Sequence, residues 1–340
     1  MSISRKTALA GVYEHPLRWA PHKTQYQIMA ESARGALDDA GLTIKDVNGL
    51  FTSGVGGMGI IALAEHMNLN PDFLDSNSIG GSSFVSHTAH AAAAIAAGYC
   101  DVALILYGSK WSSDRFAIGT GGAGSGDPPE QFEACYGPTT VGDYALTAQR
   151  HMHEFGTTSE QLAEIAVTTR KHASLNPHAK FRDLITVDDV LASREVSSPL
   201  HLLDCCMISD GGGALVVTSA ERVRDLKKKP VYIMSAAEAC SHTSAGMRDL
   251  TDAAAKQSGP KAMERAGVRH ADFDMAMIYD SFTITVCVTL ESLGFCEKGE
   301  GGSFVQNGRI GLGGELPINT DGGGLSSNHP GMRGIFLVIE

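Results

Sequence analysis

GGSSFVSHTAHAAAAIAAGYCDVALILY, residues 80–107, is the stretch whose reading decides the fold. Glycine and serine at Gly80 to Ser83 break the chain, and Phe84 to Ala97 then has the alanine-rich make-up of a helix. Gly98 supplies a stop, and the apolar run from Asp101 to Tyr107 reads as a strand buried on both faces. Working outward, Ala8 to Tyr13 and Gly49 to Ser53 read as strands and Leu74 to Ile79 as extended chain. Ile28 to Leu42, ending in Ala40-Gly41, and Ile60 to Met67 carry helical spacing. Val141 to Phe155 and Ser159 to Ser174 predict two further helices, and Ala214 to Thr218 another strand. Strands alternating with helices in this way predict an α/β fold with mixed, mainly parallel sheets.

Sliding the second half of the chain against the first at an offset of 226 residues shows an internal echo. Ala36, Ala40, Gly41 and Asp46 recur as Ala262, Ala266, Gly267 and Asp272, and Leu37, Leu42 and Val47 recur as Met263, Val268 and Phe273. Each copy describes an amphipathic helix, a glycine stop, a short turn and a strand. The echo predicts two fused copies of one module, spanning 1–225, with a loop insert at about 108–200, and 226–340. It aligns the strand Gly49 to Ser53 with Met275 to Tyr279, which puts Tyr279 at the carboxyl end of a strand, the edge where α/β sheets hold ligands.

Composition excludes several classes. The 340 residues are 43% hydrophobic and 19% charged, enough for packed cores and too apolar for disorder. Lys plus Arg is 27 against 38 for Asp plus Glu, a net charge of −11 that disfavours nucleic acid as a partner. Seven cysteines, an odd number without a C-x-x-C pair, fit a reducing cytoplasm better than a disulfide framework. The most apolar window, Ala89 to Gly108, contains His90 and Asp101, so no membrane span is expected.

Few single motifs carry chemistry. Gly119-x-Gly121-x-x-Gly124 has the letters of a dinucleotide fingerprint but runs into Asp127-Pro128-Pro129 where a helix should start, so it reads as a glycine-rich loop. His151 and His153, two apart, read as a solvated helix face; His87 and His90, with no carboxylate evident nearby, read as packed or interface histidines, and no metal site is expected. Cys205-Cys206 reads as buried packing and Asp210-Gly-Gly-Gly213 as a turn. Gly80 to Ser83 lies between extended chain and helix, where N–H groups would hold a thioester oxygen or a phosphate; a tight turn with serine caps accounts for it equally. Tyr279-Asp-Ser-Phe282 and Ser327-Asn-His-Pro330, the latter after Gly322-Gly-Gly324, complete the set.

Together these pieces resemble the thiolase superfamily, within it the sterol-carrier-protein type of thiolase-like proteins, over essentially the whole chain. The likeness rests on the duplicated halves, the helix ending in Gly98-x-x-Asp101, Leu203 to Gly212, Tyr279 to Phe282, and Gly322 to Pro330. It implies a duplicated five-layer αβαβα fold. Thiolases begin the helix with Cys-x-Ser-Gly, and counting back from Gly98 puts that cysteine at Gly81, so the nucleophile is absent. The position that binds the thioester oxygen through water is Tyr279, and the histidine that would activate the cysteine is His329. The chain stops at Glu340, before the family's tail with its second cysteine.

Thiolase-like retro-aldolases of steroid side-chain degradation resemble this chain in carrying tyrosine at the Tyr-Asp-x-Phe position. The resemblance implies cleavage of a β-hydroxyacyl-CoA with a steroidal β-substituent, without a cofactor, CoA being part of the substrate. Tyr279 and His329 would share the proton transfers, with Tyr279 the expected base if a nearby cation or donor lowers its pKa. Gly81, Ser82, Ser83, Asp280 and Asn328 are the expected substrate contacts. A homodimer pairing beside Phe84, Val85 and Ala89, doubled with two small zinc-ribbon and OB-fold partner chains, is the implied assembly. The rival readings are an acyltransferase using Ser82 or Ser83, and a non-catalytic acyl-CoA or lipid-binding subunit.

Overall fold

The computed structural model describes residues 3–56, 58–115, 139–242 and 249–340. The strands are β1 (Thr7–Glu14), β2 (Gly49–Thr52), β3 (Phe73–Asp75), β4 (Val102–Ser109), β5 (Glu195–Ser197), β6 (Leu200–His201), β7 (Gly211–Ser219) and β8 (Val231–Tyr232). The helices are α1 (Gln25–Ala40), α2 (Gly59–His66), α3 (Ser83–Ala96), α4 (Thr140–Phe155), α5 (Ser159–Leu175), α6 (Val187–Ala192), α7 (Ala255–Ala266), α8 (Thr283–Leu293), α9 (Gly301–Phe304) and α10 (Gly334–Ile339). Most of the glycine-rich stretch at 108–140, including Gly119 to Pro129 and Cys135, lies outside the described residues.

One six-stranded sheet, in the order β3-β2-β4-β7-β1-β8, organises the first half. Every residue of β4 is buried because both of its faces are covered. Val102, Leu104 and Leu106 pack with Met29, Ala33 and Leu37 of α1, while Ala103, Ile105 and Tyr107 pack with Phe84, Ala91 and Ile95 of α3 and with Phe336 of α10. The period of two along the strand thus divides one apolar run between two helical layers. Parallel pairing is confined to β3-β2-β4; β4 with β7, β7 with β1, and β1 with β8 are antiparallel. Asp210-Gly-Gly-Gly213 is not the expected turn: its glycines open β7, and a Cβ on Gly212 would stand 2.6 Å from the Tyr107 carbonyl oxygen.

The echo is visible as conformation. Helix α1 ends at Gly41 (φ 76°), followed by a 3-10 turn at Ile44–Asp46; α7 ends at Gly267 (φ 70°), followed by a 3-10 turn at His270–Asp272. All of these positions differ by 226. The strand expected at Met275 to Tyr279 is reduced to one parallel bridge between Ala276 and Ile318. The Asn319 side chain replaces a ladder partner, because its Oδ1 accepts the Ile278 N–H at 2.8 Å. The stretch expected as a loop insert contains, from residue 139 on, α4, α5, α6 and the β5–β6 hairpin. Helices α4 and α5 share a core with α8 and with Phe304, Ile310 and Leu325.

The layer contact between α1 and β1 is as close as backbone permits. A Cβ on Gly11 would lie 2.2 Å from the Ala36 carbonyl oxygen and 2.8 Å from the Ala40 nitrogen. Gly11→Ala should destabilise the fold by about 1–3 kcal/mol, read as a lower urea midpoint at unchanged m-value.

Candidate active site

The extended segment 276–278 delivers Tyr279 to the start of α8, and the turn after Ser327 delivers His329. Their side chains meet: Tyr279 Oη lies 3.1 Å from His329 Nε2 and accepts the Arg333 N–H, also at 3.1 Å. Two residues of the first half hold the histidine turn. Ser209 Oγ accepts the His329 N–H at 3.0 Å, and the Ser209 N–H donates to the His329 carbonyl at 3.2 Å. Tyr107 Oη donates to the Pro330 carbonyl and accepts the Met332 N–H at 3.1 Å.

The N-terminal end of α3 faces this pair. The Gly334 N–H donates to the Gly81 carbonyl at 3.0 Å. A Cβ on Gly81 would fall 2.2 Å from Tyr279 Cε2 and 2.3 Å from its hydroxyl oxygen. The phenol therefore occupies the volume that a side chain on residue 81 would need. Tyrosine at 279 and any side chain at 81 exclude one another. Ser83 is buried, and its hydroxyl donates to the Gly80 carbonyl at 2.8 Å while accepting the Ile79 N–H at 3.0 Å. Ser82 is exposed at the helix start and makes no capping hydrogen bond through its side chain. Neither serine has the adjacent base that an acyl-carrying nucleophile requires.

Beneath the pair lies a buried ionic cluster that includes two of the residues expected to contact substrate. Asp280 and Asn328 are both fully buried. The Asp280 carboxylate accepts the Gly324 and Leu325 N–H groups at 2.8 and 3.2 Å and stands 3.3 Å from Arg333 Nε, an ion pair outside hydrogen-bond alignment. Asn328 Oδ1 accepts from Arg333 Nη1 at 2.9 Å, and its amide donates to Glu14. Both side chains are thus engaged by Arg333, whose backbone N–H meets the Tyr279 oxygen. Arg333 also reaches Asp321 at 2.5 Å, and Glu14 pairs with Arg18.

Burial sets the protonation states. It pushes the Tyr279 phenol up, with Cys206 adding to the rise and the Arg333 N–H opposing it. Burial and then the Arg333 charge push His329 down to about 4. At neutral pH the pair is a neutral phenol against a neutral imidazole, an acid and a base in contact. Arg333 lowers the phenol's pKa less than burial raises it, so the condition stated for Tyr279 as a free base is not met. Burial also lifts Asp280 to about 6, which Arg333 partly offsets, while Asp321 and Asp280 hold Arg333 charged against its own burial.

A family model for the thiolase C-terminal domain-like family matches residues 237–340. The chain is 36% identical to 17-hydroxy-3-oxo-4-pregnene-20-carboxyl-CoA lyase of Mycobacterium tuberculosis, over 98% of this chain and 90% of that one. It is 35% identical to a steroid side-chain-cleaving aldolase of Thermomonospora curvata, over 98% and 89%. The chain belongs to the thiolase superfamily. Among solved structures, the Ltp2-ChsH2(DUF35) aldolase matches with a TM-score of 0.90 at 33% identity, covering 98% of this chain and 89% of that one. Within this thiolase-like fold, glycine stands at 81 and tyrosine fills the space above it.

Sequence reading missed Arg333, Asp321, Glu14, Tyr107 and Ser209. An arginine inside the apolar run Gly331 to Ile339 was the one available signal. His151 is also not solvated: it is fully buried, with Nδ1 2.8 Å from Thr157 Oγ1 and Nε2 2.9 Å from Glu291, whereas His153 is exposed as expected. No described helix is long and apolar enough to cross a membrane. Gly81→Ala should displace the phenol and lower turnover at least about 100-fold, the scale of a 1 Å misplacement, with a smaller effect on the melting temperature. Unchanged turnover would show that Tyr279 does not need its present position.

Proposed function

We propose that the chain catalyses retro-aldol cleavage of a β-hydroxyacyl-CoA carrying a steroidal β-substituent. The products are a ketone or aldehyde and a shortened acyl-CoA. The observation that carries this reading is the Tyr279 phenol in contact with His329, in the volume where a side chain at Gly81 would stand. The site thus offers an acid–base pair where an acyl-enzyme would need a nucleophile. The names of the lyase and the aldolase at 36% and 35% identity support the steroid thioester as substrate.

The chemistry follows from the pair. The β-hydroxyl gives its proton to Tyr279 Oη as Tyr279 passes its own to His329 Nε2. The Cα–Cβ bond breaks, its electron pair goes to the thioester as an enolate, and the β-carbon becomes a carbonyl. The amides of Gly81 and Ser82, at the start of α3, stabilise the enolate oxygen, the Ser83 N–H being taken by the Gly80 carbonyl at 3.1 Å. The proton then returns through Tyr279 to Cα. The proton removed is the proton required, so atoms balance without water or a redox step, and CoA enters only as part of the substrate.

A homodimer fits the surface beside α3. Strand β3 is a sheet edge, and Leu74, Ile79 and Val85 are 43%, 54% and 46% exposed around it, whereas Phe84 faces the core. A partner subunit is supported by the two-component name of the Ltp2-ChsH2(DUF35) aldolase, and a small zinc-ribbon and OB-fold chain is the partner the family resemblance implies.

The test is incubation with a steroidal β-hydroxyacyl-CoA, with and without such a partner, following products and protein mass together. Carbonyl product plus shorter acyl-CoA, with protein of unchanged mass, is expected. Tyr279→Phe should lower turnover by about 100-fold or more, the scale of general acid–base catalysis, with the fold retained. An acyl adduct on the protein, or near-normal turnover by Tyr279→Phe, would overturn the mechanism.

A further inference from the structure

A second cluster stands apart from Tyr279 and His329, on the outer edge of the sheet. Asp75, the last residue of β3, faces His87 and His90 on consecutive turns of α3. The ligand-capable atoms of the three all lie within 4.8 Å of one another.

The hydrogen bonds assign the imidazole nitrogens. His87 is fully buried, and its Nε2 lies 3.2 Å from the Thr52 carbonyl oxygen, which can only accept. Nε2 therefore carries a proton, and in the neutral imidazole Nδ1 presents a lone pair that only a second proton or a metal ion can bridge to Asp75. That Nδ1 is buried without a hydrogen-bond partner and points at Asp75 Oδ2 from 3.4 Å. Two acceptors thus face each other with no proton between them. His90 differs: its Nδ1 hydrogen-bonds the same Oδ2 at 2.6 Å, through a proton that an ion would displace, and its Nε2 lies 3.1 Å from Glu238 Oε1. A metal-binding histidine characteristically donates its second N–H to a carbonyl or a carboxylate, and here one histidine meets each.

We propose that Asp75, His87 and His90 form a divalent metal site of the zinc class, with both imidazoles ligating through Nδ1 and an open fourth position for water. Zinc–nitrogen bonds of about 2.0–2.1 Å at tetrahedral angles set ligand atoms about 3.4 Å apart. The His87–Asp75 separation already has that value. The His90–Asp75 separation must open, and the His90 side chain, 41% exposed, is free to move. The ion supplies the positive charge that the two facing acceptors lack. It ties the edge strand β3 to α3 one turn beyond Ser83, a structural role independent of the retro-aldol reading.

The experiment uses tag-free, full-length protein stripped with a chelator and titrated with Zn(II), with bound metal measured by elemental analysis and the melting temperature followed. Co(II) replaces Zn(II) in a second titration read by visible absorption. One zinc per chain, a raised melting temperature and a Co(II) spectrum of tetrahedral type are expected for the wild type. His178→Gln, at an exposed histidine elsewhere, should match it. Asp75→Asn and the more exposed His90→Gln should bind at least about tenfold more weakly. Failure of folded wild type to take up zinc stoichiometrically, or equal uptake by Asp75→Asn and His90→Gln, would overturn the site. Retro-aldol turnover is measured on the same stripped protein, so loss of one reading leaves the other standing.

Discussion

The Tyr279 ring against the Cα of Gly81 is the contact on which the rest of the site depends. Two atoms cannot share that volume, so the chemistry available at the head of α3 is decided by which residue supplies the side chain. With the side chain coming from 279, the reactive group is a phenol and no acyl group can be carried at 81. The surrounding parts hold this contact at close range. Gly334 brings the loop after His329 to the Gly81 carbonyl, and a Cβ there would also meet that oxygen, at 2.2 Å. Tyr107, from the buried strand β4, clamps the backbone on both sides of Gly331.

Holding the phenol and imidazole in place requires buried charge. Glu14, Asp280 and Asp321 surround Arg18 and Arg333, three carboxylates to two guanidinium groups, and burial raises Glu14 and Asp280, with the arginines opposing the rise and Asp321 adding to it. Buried ion pairs of this kind contribute little net stability, because desolvation offsets most of their attraction. What Arg333 provides is direction. Its guanidinium ties together the segments carrying Asp280, Asp321 and Asn328, and its backbone N–H meets the Tyr279 oxygen. The same burial leaves the phenol and imidazole neutral, which is the state a proton relay needs.

Much of this was legible in the chain. Strand β4, helix α3 and the pair Tyr279 and His329 could be placed from local pattern and family resemblance, and the 226-residue echo located two glycine stops, each followed by a short turn. Local signals sufficed there because helix stops, turns and buried strands are encoded by neighbours in sequence. Met275 to Tyr279 failed as a full strand because a distant side chain, Asn319, takes a ladder position. Asp280 and Asn328, polar residues beside catalytic ones, carried no local sign that Arg333 would claim them.

The sequence by itself determined the alternation of elements, the absence of a cysteine at 81 and the choice of Tyr279 and His329 as candidate residues, since these are properties of single residues and their near neighbours. Only the tertiary structure decided that the phenol fills the space above Gly81, that Arg333 gathers Asp280, Asp321 and Asn328, and that Asp75 lies against His87 and His90. Each of these joins residues far apart in the chain or depends on side-chain volume in a packed interior. Burial then set the ionisation of Tyr279 and His329, because desolvation depends on everything packed around a group and is written in no short stretch of sequence.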